Sequence, residues 1–542
     1  MFVIRLLVDA PVTADTLVLP VEHVAGAAGV RPAPTPPALT VEGGPTELGA
    51  DATAMLHRSN HDGRAGTVVL LHRPRQAPYR VILVGIGSGD EAGWRAAGAA
   101  VGRILRDDAS AGTTAGTCLV ALTSAGPTAV RGFAEGCWLA SYRFTATDSF
   151  DPDDQLRTAW AGEKTGETTG VTAGESAESG DRHAGQPDVP LLVLDHPPTE
   201  AARHALRVAW TTTAATWFAR DLTNAPSSIK NPAWFAAQVR AAVAAYPGLS
   251  LTVREPDQLA DEGFGGLLAV GTGSPAGPRL VEMRWAPPQA RQHVVLVGKG
   301  ITFDTGGISI KPVDGMRLMR KDMGGAAAVV ATALGAAALR LPVTLTVLVP
   351  LAENMVSGTA FRPGDVVRHY GGLTSETTNS DAEGRLVLAD AISYAVAQLD
   401  PDYLIDLATL TGANAVALGR RTAALYSDDD ALAAELLAAS AAAGEGAWRM
   451  PLAADYVEYL GSEIADLFSA PDRGASSVVA ALFLREFAQA GRGRWAHYDM
   501  SAPAWSDEDD GDLVKGATGW GVRTLLRWLS AVDPSVTAAP AA

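Results

Sequence analysis

Three charged residues interrupt a stretch that otherwise holds apolar and small residues. The segment VVLVGKGITFDTGGISIKP begins at Val294 with four apolar residues typical of a buried strand, and it then carries Lys299, Asp304 and Lys311. A lysine between two glycines at a strand end fits a phosphate loop or an exposed charge. The phosphate reading is weak, because a P-loop requires Gly-Lys-Ser/Thr and Lys299 is followed by Gly300.

Two later segments place further charges beside small residues. In RKDMGGAAA, Asp322 comes before a glycine pair and an alanine-rich helix, and in NSDAEGRL, Asp381 and Glu383 are followed by Arg385. Taken singly, Asp322 is typical of a helix cap and the acidic pair of an exposed loop. Together with Asp304, however, these acids all lie near the ends of predicted buried strands or in adjoining loops.

Four carboxylates that converge in one cleft repel one another unless cations offset their charge. Two divalent metal ions about 3.5–4 Å apart, held by bridging carboxylates, meet this requirement. The sequence contains neither HExxH nor a Cys/His cluster of ligand spacing. Oxygen ligands suit Mn²⁺ or Mg²⁺, whereas an amine ligand favours Zn²⁺ or another late first-row metal.

The elements that position these residues are clearest after residue 190. Buried strands are predicted at 293–298, 343–350 and 403–408, and alanine-rich helices at 324–339 and 386–399. Continuous apolar strands that alternate with helices indicate a mainly parallel central sheet flanked by helices. Sites in such sheets form at the carboxyl ends of the strands, where the charged segments begin.

The predicted fold class is α/β, with an N-terminal α/β domain over 1–160 and a larger second domain over 189–542. The strand at 80–87 (RVILVGIG) and the helix at 91–106 support the first domain. Residues 161–188 are rich in Gly, Thr, Ser and Glu. With so little to bury, this stretch is predicted to be a flexible low-complexity insertion or linker.

Composition limits the class of protein. The 542 residues are too many for one ordinary core, and 43 Lys and Arg against 60 Asp and Glu give a formal charge of −17, which argues against broad binding to nucleic acid. Two cysteines, Cys118 and Cys137, provide no disulfide framework. No apolar run reaches the roughly 18 residues of a membrane span, and MFVIRLLVDAPVTADTLVLP is typical of a first strand rather than a signal peptide. We expect a cytoplasmic protein with no membrane partner.

The three charged segments resemble the three signature blocks of the leucyl aminopeptidase (cytosol aminopeptidase) family. Four other stretches are similar to family segments: 220–232, 353–367, 406–419 and 515–526. The family consists of two-metal exopeptidases that usually assemble as hexamers. The resemblance therefore implies that 189–542 is a catalytic peptidase domain and that the protein is a homohexamer.

The resemblance also implies which residues hold metal. The tightly bound ion would be held by Lys299, Asp304, Asp322 and Glu383. The more exchangeable ion would be held by Asp304, Asp381 and Glu383, so that Asp304 and Glu383 bridge. Two divalent ions per subunit are expected, Mn²⁺ or Zn²⁺, with Mg²⁺ as an option at the exchangeable position.

Five further residues take roles from the same resemblance. Lys311 would be the catalytic lysine near the scissile carbonyl, and Arg385 would hold a bicarbonate ion that serves as general base. Met319, Thr409 and Leu410 match positions that line the pocket for the first side chain of the substrate.

The function implied is a metallo-aminopeptidase that releases N-terminal amino acids, with leucine and other large apolar residues preferred, from peptides with a free N-terminus. A two-metal phosphoesterase is one alternative, since Lys299 and Lys311 could serve phosphate. The other is a non-catalytic or moonlighting hexameric member that binds DNA or has a structural role. The presence of every ligand position, of Lys311 and of Arg385 disfavours a non-catalytic member, and the acidic charge disfavours nucleic acid.

The chain departs from the family pattern in two places. Ser380 stands where the third block usually has Thr, and both residues offer a hydroxyl. The segment HYDMSAPAW differs from the usual run at Met500 and Ser501. This second departure falls at a predicted pocket edge or subunit contact.

Overall fold

The computed structural model describes residues 3–7, 12–23, 30–35, 39, 41–42, 44–112, 116–122, 125–144, 191–489, 491 and 493–532. These residues form two compact units. The first contains the described residues up to 143 together with 191–214 and 508–514, and the second contains the remainder. The predicted insertion at 161–188 lies outside the described residues.

Seven strands among the described residues form the sheet of the first unit. They are β1 (Val3–Leu6), β2 (Thr16–His23), β3 (Val30–Pro32), β4 (Val68–His72), β5 (Arg80–Gly85), β6 (Thr117–Ala121) and β7 (Leu191–Asp195). Their order is β1-β7-β6-β2-β5-β4, with β3 beside β2. All pairs are parallel except β4 with β5 and β2 with β3.

Helices accompany this sheet. They are α1 (Pro45–Arg58), α2 (Glu91–Ser110), α3 (Pro127–Ala140) and the start of α4 (Glu200–Asn224), within which the division between the units falls. Helices α2 and α3 pack closely through glycines: a Cβ added at Gly98 would lie 2.0 Å from the carbonyl oxygen of Phe133. The predicted N-terminal α/β fold is therefore observed.

The strand β7 corrects one assignment. The predicted second domain begins at 189 and so includes this strand, whereas β7 lies between β1 and β6 in the sheet of the first unit. An apolar run specifies that a strand is buried, but ladder pairing uses backbone groups that every strand offers. The local pattern could not identify the sheet to which this strand belongs.

The strands of the second unit follow in chain order. They are β8 (Leu249–Arg254), β9 (Arg279–Trp285), β10 (His293–Gly298), β11 (Gly300–Asp304), β12 (Thr344–Asn354), β13 (Val366–Arg368), β14 (Thr374–Glu376), β15 (Tyr403–Ala408), β16 (Thr422–Tyr426), β17 (Gly446–Arg449), β18 (Leu467–Phe468), β19 (Arg494–Asp499), β20 (Trp505–Ser506) and β21 (Gly516–Ala517). The three buried strands predicted for the core of the second domain are β10, β12 and β15.

The main sheet of this unit has nine strands among the described residues, in the order β17-β16-β19-β15-β10-β12-β9-β8, with β11 beside β12. Strands β10, β11, β12, β15 and β19 are mutually parallel. Strands β8 and β9 at one end, and β16 beside β19, pair antiparallel. The prediction of a mainly parallel sheet is confirmed.

Ten helices of the described residues complete the second unit. They are α5 (Pro232–Val243), α6 (Pro256–Glu262), α7 (Gly265–Gly271), the irregular turn α8 (Val313–Met316), α9 (Gly324–Ala338), α10 (Glu383–Tyr394), α11 (Ala413–Leu418), α12 (Asp430–Ala443), α13 (Ser476–Ala488) and α14 (Val522–Leu529). Short 3₁₀ segments cover Arg317–Lys321 and Ala454–Leu460, and a π-helical turn, Ala395–Leu399, extends α10.

Side chains alternate along β10 between two apolar layers. Val294 and Leu296 pack in the layer that includes α9, whereas Val295 and Val297 pack in the layer that includes α10. Successive residues of a strand point to opposite faces, so the sheet is covered by helices on both sides, as predicted. Within the described part of the chain, no helix is both long and apolar enough to span a membrane.

Candidate active site

Five polar or charged residues lie at the carboxyl ends of parallel strands in the second unit. They are Lys299 after β10, Asp304 at the end of β11, Asn354 at the end of β12, Thr409 after β15 and Asp499 at the end of β19. These strands run in one direction, so their ends meet at one edge of the sheet. That edge is where open α/β sheets form their ligand sites.

Lys299 is buried rather than exposed, with 3% of its surface accessible. Its Nζ lies 2.9 Å from Oδ2 of Asp322 and 2.8 Å from Oε1 of Glu383, and it donates to the carbonyl oxygen of Thr409 at 3.1 Å. The lysine stem packs against Gly384, where an added Cβ would lie 2.5 Å from Cε of Lys299. The amine therefore lies between two carboxylates, and Gly384 packs directly against its stem.

Lys311 and Asp304 form a second ion pair. Nζ of Lys311 lies 2.8 Å from Oδ2 of Asp304 and also pairs with Asp381. Oδ1 of Asp304 accepts hydrogen bonds from the backbone N–H of Gly306 and from Nδ2 of Asn354, both at 2.8 Å. One oxygen of Asp304 is therefore held by the protein frame while the other faces the cluster.

The charges of the cluster shift one another's pKa values. Burial raises the pKa of Asp304 to about 6 and raises the pKa values of Asp322 and Glu383, although the neighbouring lysines oppose this. Burial would lower the pKa values of Lys299 and Lys311, but the surrounding carboxylates outweigh it and hold both above their ordinary value. Four acids thus share two ammonium groups in a buried space.

Asp322 does not cap the helix that follows it. The N-cap of α9 is Met323, which makes no side-chain hydrogen bond there. Instead Oδ1 of Asp322 accepts a hydrogen bond from Oγ1 of Thr409 at 2.6 Å, and Oδ2 faces Lys299. The carboxylate is turned into the cluster, contrary to the capping alternative.

Asp304, Asp381 and Glu383 could share a metal ion. Each offers a carboxylate oxygen, and these oxygens lie within 4.8 Å of one another. Glu383 opens α10 with 1% of its surface exposed. Its Oε1 faces the ammonium of Lys299, and within the described residues its Oε2 has no hydrogen-bond partner. A buried carboxylate oxygen without a donor favours a further cation. The residues present fit a divalent metal ion.

Arg385 lies on α10 two residues after Glu383 and is also buried. Its Nη1 donates to the carbonyl oxygen of Ser469 at 2.6 Å, and its Nε has no hydrogen-bond partner in the described part of the chain. Burial lowers the pKa of Arg385 to about 10, which leaves the guanidinium charged at neutral pH. Arg385 is not among the residues that line the cavity described next.

The charged cluster opens into a cavity of about 360 Å³. The lining includes all four acids and both lysines of the cluster, and also Met319, Thr409 and Leu410, the residues that the resemblance places around the substrate's first side chain. The remaining lining residues are Gly315, Leu318, Lys321, Thr411, Gly412, Ala415, Arg420, Ser501, Ala502 and Trp505. Nine of the ten predicted site residues therefore line one cavity, and Arg385 does not.

Two residues at this edge were not identified from sequence. Asn354 donates from Nδ2 to Asp304 and, at 3.0 Å, to the carbonyl oxygen of Ser380, so it ties two of the charged segments together. Asp499 accepts from the backbone N–H groups of Leu410 and Thr411 at 3.1 and 2.9 Å. Each of these residues is the last residue of an apolar strand. A polar residue at such a strand end is the sequence feature that could have identified them.

The two departures from the family pattern lie beside the cavity. Oγ of Ser380 donates to the carbonyl oxygen of Gly306 at 2.7 Å, so the hydroxyl at this position makes a hydrogen bond. Met500 is buried, whereas Ser501 lines the cavity and donates from Oγ to the carbonyl oxygen of Thr411 at 2.6 Å. This segment was predicted to form a pocket edge or a subunit contact, and Ser501 lies at the edge of the pocket.

Comparisons with known proteins identify the family of the chain. The model of the catalytic domain of the cytosol aminopeptidase family matches residues 217–526, and the model of that family's N-terminal domain matches 42–149. The chain is 48% identical to a probable cytosol aminopeptidase of Corynebacterium glutamicum over 319 residues. This matched stretch covers 58% of this chain and 63% of that protein. The matched part thus spans less than two thirds of that relative. A probable cytosol aminopeptidase of Streptomyces coelicolor is 38% identical over 525 residues, 95% of each chain.

Solved structures give the same result. The bottromycin maturation enzyme BotP in complex with Mn has a TM-score of 0.76 and 35% identity, covering 96% of this chain and 99% of that one. A mutant of tomato leucine aminopeptidase has a TM-score of 0.77 and 29% identity, covering 98% of this chain and 96% of that one. On the matches of both family models and of relatives along nearly its whole length, the chain belongs to the cytosol aminopeptidase family.

Proposed function

We propose that this protein is a metallo-aminopeptidase that releases the N-terminal residue of peptides with a free N-terminus. The observation that carries the proposal is the group of Asp304, Asp381 and Glu383 oxygens within 4.8 Å of one another, beside Lys299 and Asp322 and open to a cavity. Family membership supports the same function.

Two divalent metal ions are proposed, Mn²⁺ or Zn²⁺, with Mg²⁺ as an option at the exchangeable position. Lys299, Asp304, Asp322 and Glu383 would hold the tighter ion, and Asp304, Asp381 and Glu383 the exchangeable one. Bound metal would supply a water of lowered pKa and would polarise the scissile carbonyl.

The lysines have different tasks in this proposal. Lys299 must lose its proton to offer a lone pair to a metal ion. The surrounding carboxylates raise the pKa of Lys299, and the positive charge of the metal would oppose them and favour loss of the proton. Lys311 keeps its proton, and its ammonium can stabilise the oxyanion that develops on the substrate carbonyl. Lys311 is more exposed than Lys299, with side-chain accessibilities of 19% and 3%, as a group that meets substrate should be.

Arg385 is proposed to hold a bicarbonate ion that would supply a general base. Its planar guanidinium matches the edge of a carbonate, and its Nε, which has no partner among the described residues, offers a donor. Met319, Thr409 and Leu410 are proposed to surround the first side chain of the substrate, with leucine and other large apolar residues preferred. A cytoplasmic homohexamer is proposed from the resemblance alone.

Substrate blocking tests the function. The purified protein with Mn²⁺ is expected to hydrolyse leucine p-nitroanilide and to leave N-acetyl-leucine p-nitroanilide uncleaved, because an acetylated amine cannot bind metal. Release of nitroaniline at 405 nm would be followed for both compounds. Equal rates would exclude an aminopeptidase mechanism, and phosphoesterase activity on p-nitrophenyl phosphate under the same conditions would favour the two-metal alternative.

The Arg385→Ala variant tests the division of roles. It is expected to retain both metal ions and to lose about 100-fold in kcat, the size of a general-base contribution, most visibly in bicarbonate-depleted buffer. Metal content by mass spectrometry and kcat at several bicarbonate concentrations would be measured. Arg284→Ala, at an exposed position of β9, is the matched control. Loss of metal from Arg385→Ala would show that Arg385 supports the metal site instead.

A further inference from the structure

The wall of the cavity carries two more cations that the proposed mechanism does not use. Outside the metal cluster, the described lining includes Lys321 and Arg420 and no carboxylate. The other lining side chains there are apolar, such as Leu318 and Trp505, or are glycines and small hydroxyl residues. This part of the cavity therefore has positive charge on an otherwise neutral surface.

Lys321 is the less satisfied of the two. Its Nζ donates to the carbonyl oxygen of Ser501 at 2.8 Å, and it has no carboxylate within 4.0 Å among the described residues. An ammonium has three donors, so two remain for another partner. Arg420, by contrast, pairs with Asp507 at 2.8 Å and is largely exposed.

The acids around Lys321 have other partners. Asp322, its neighbour in the chain, is bound by Lys299 and Thr409. Asp499 accepts five hydrogen bonds from the loops beside it, from Leu410 N, Thr411 N, Thr411 Oγ1, Asn414 Nδ2 and Ser501 N. A partly buried ammonium that lines a substrate cavity while the nearby acids bind other groups is a ready partner for an anion on the substrate.

We propose that Lys321 determines specificity by binding a carboxylate of the peptide substrate. The carboxylate belongs either to an acidic N-terminal residue or to the C-terminus of a dipeptide, since both carry the same group close to the scissile bond. This inference rests on the proposed aminopeptidase function and extends its substrate class beyond apolar N-termini.

The test compares Lys321→Met with wild-type protein loaded with Mn²⁺. Methionine keeps the length of the stem and removes the charge and the donors. Lys515→Met, at an exposed lysine of the same unit, is the matched control. Four substrates are used: the p-nitroanilides of glutamate and leucine, and Leu-Leu with a free or an amidated C-terminus.

The expected result is a selective loss. If Lys321 binds an acidic side chain, Lys321→Met lowers kcat/KM for the glutamate anilide by about 10-fold or more relative to the leucine anilide. If it binds the C-terminus, the same loss is expected for free Leu-Leu relative to its amide. Lys321→Arg, which keeps a cation, is expected to recover part of the loss, and Lys515→Met is expected to leave all ratios unchanged.

Each outcome separates the two proposals. Unchanged ratios in Lys321→Met, with or without an equal loss on every substrate, would overturn the role of Lys321 and leave the aminopeptidase proposal intact. A wild-type protein that cleaves none of the four substrates would overturn the aminopeptidase proposal and the role of Lys321 with it. Should Lys321→Met be recovered unfolded, Lys321→Gln, which keeps a polar end without charge, gives the same comparison.

Discussion

Replacing Asp304 with alanine is expected to abolish binding of both metal ions and to lower kcat/KM for leucine p-nitroanilide by at least about 1,000-fold. Asp304 is proposed to bridge the two ions, and its oxygens lie between Lys311 on one side and Gly306 and Asn354 on the other. Loss of the side chain removes one ligand from each ion. Metal content after gel filtration and steady-state kinetics would measure the two effects.

The variant Asp304→Asn separates ligation from folding. The asparagine Oδ1 can still accept from Gly306 and Asn354, as the carboxylate Oδ1 does, so the frame is preserved while the charge that faces the cluster is removed. Asp304→Asn should therefore melt near the wild-type temperature and remain without metal. Asp472→Ala, at an exposed acid of the same unit, controls for a change of net charge. Full metal occupancy in Asp304→Ala would contradict the assigned ligand set.

Lys299→Arg is expected to lose the tightly bound ion and at least about 100-fold in activity, although both residues are basic. A guanidinium does not give up its proton in a protein and so cannot offer the lone pair that a ligand needs. It is also larger, and the stem of Lys299 packs so closely against Gly384 that a Cβ on Gly384 would lie 2.5 Å from Cε of Lys299. The missing lone pair and the larger side chain would therefore both weaken metal binding at the position of the Lys299 amine.

Proton release gives this prediction a second measurement. The carboxylates hold the pKa of Lys299 above its ordinary value, so the amine is protonated at pH 7 before metal binds and must lose that proton on binding. Calorimetry in buffers of different ionisation enthalpy should show one more proton released by wild-type protein than by Lys299→Met. For the same reason metal affinity should rise with pH more steeply in the wild type. Lys515→Arg is the control, and equal proton release in wild type and Lys299→Met would rule out Lys299 as a neutral ligand.

The residues proposed for chemistry could be found from sequence because they break a local pattern. Lys299 and Asp304 come directly after runs that must be buried, and charges there are costly unless they have a purpose. The strands β10, β12 and β15 and their helices were predictable for the same reason, since burial on both faces leaves a continuous apolar run. The segments that resemble the family added the ligand roles, which periodicity alone does not assign.

Features that depend on contacts between distant segments were not predictable. Asn354 and Asp499 each follow an apolar strand, but their hydrogen bonds are to residues 50 and about 89 positions away. The apolar run of β7 is typical of a buried strand, but it does not indicate that this strand pairs with β1 and β6 in the sheet of the first unit. Such pairings use groups that many residues share, so the choice among them is made by the packed chain.

The sequence by itself determined the α/β class, the mainly parallel sheet and the set of charged residues at its edge. Only the tertiary structure decided that Asp322 faces the cluster rather than caps α9 and that Arg385 does not line the cavity. It also decided that Lys321 lines the cavity with no carboxylate partner among the described residues. The physical reason is that hydrophobic periodicity is written along the chain, whereas the partner of a charge is set by which segments fold together.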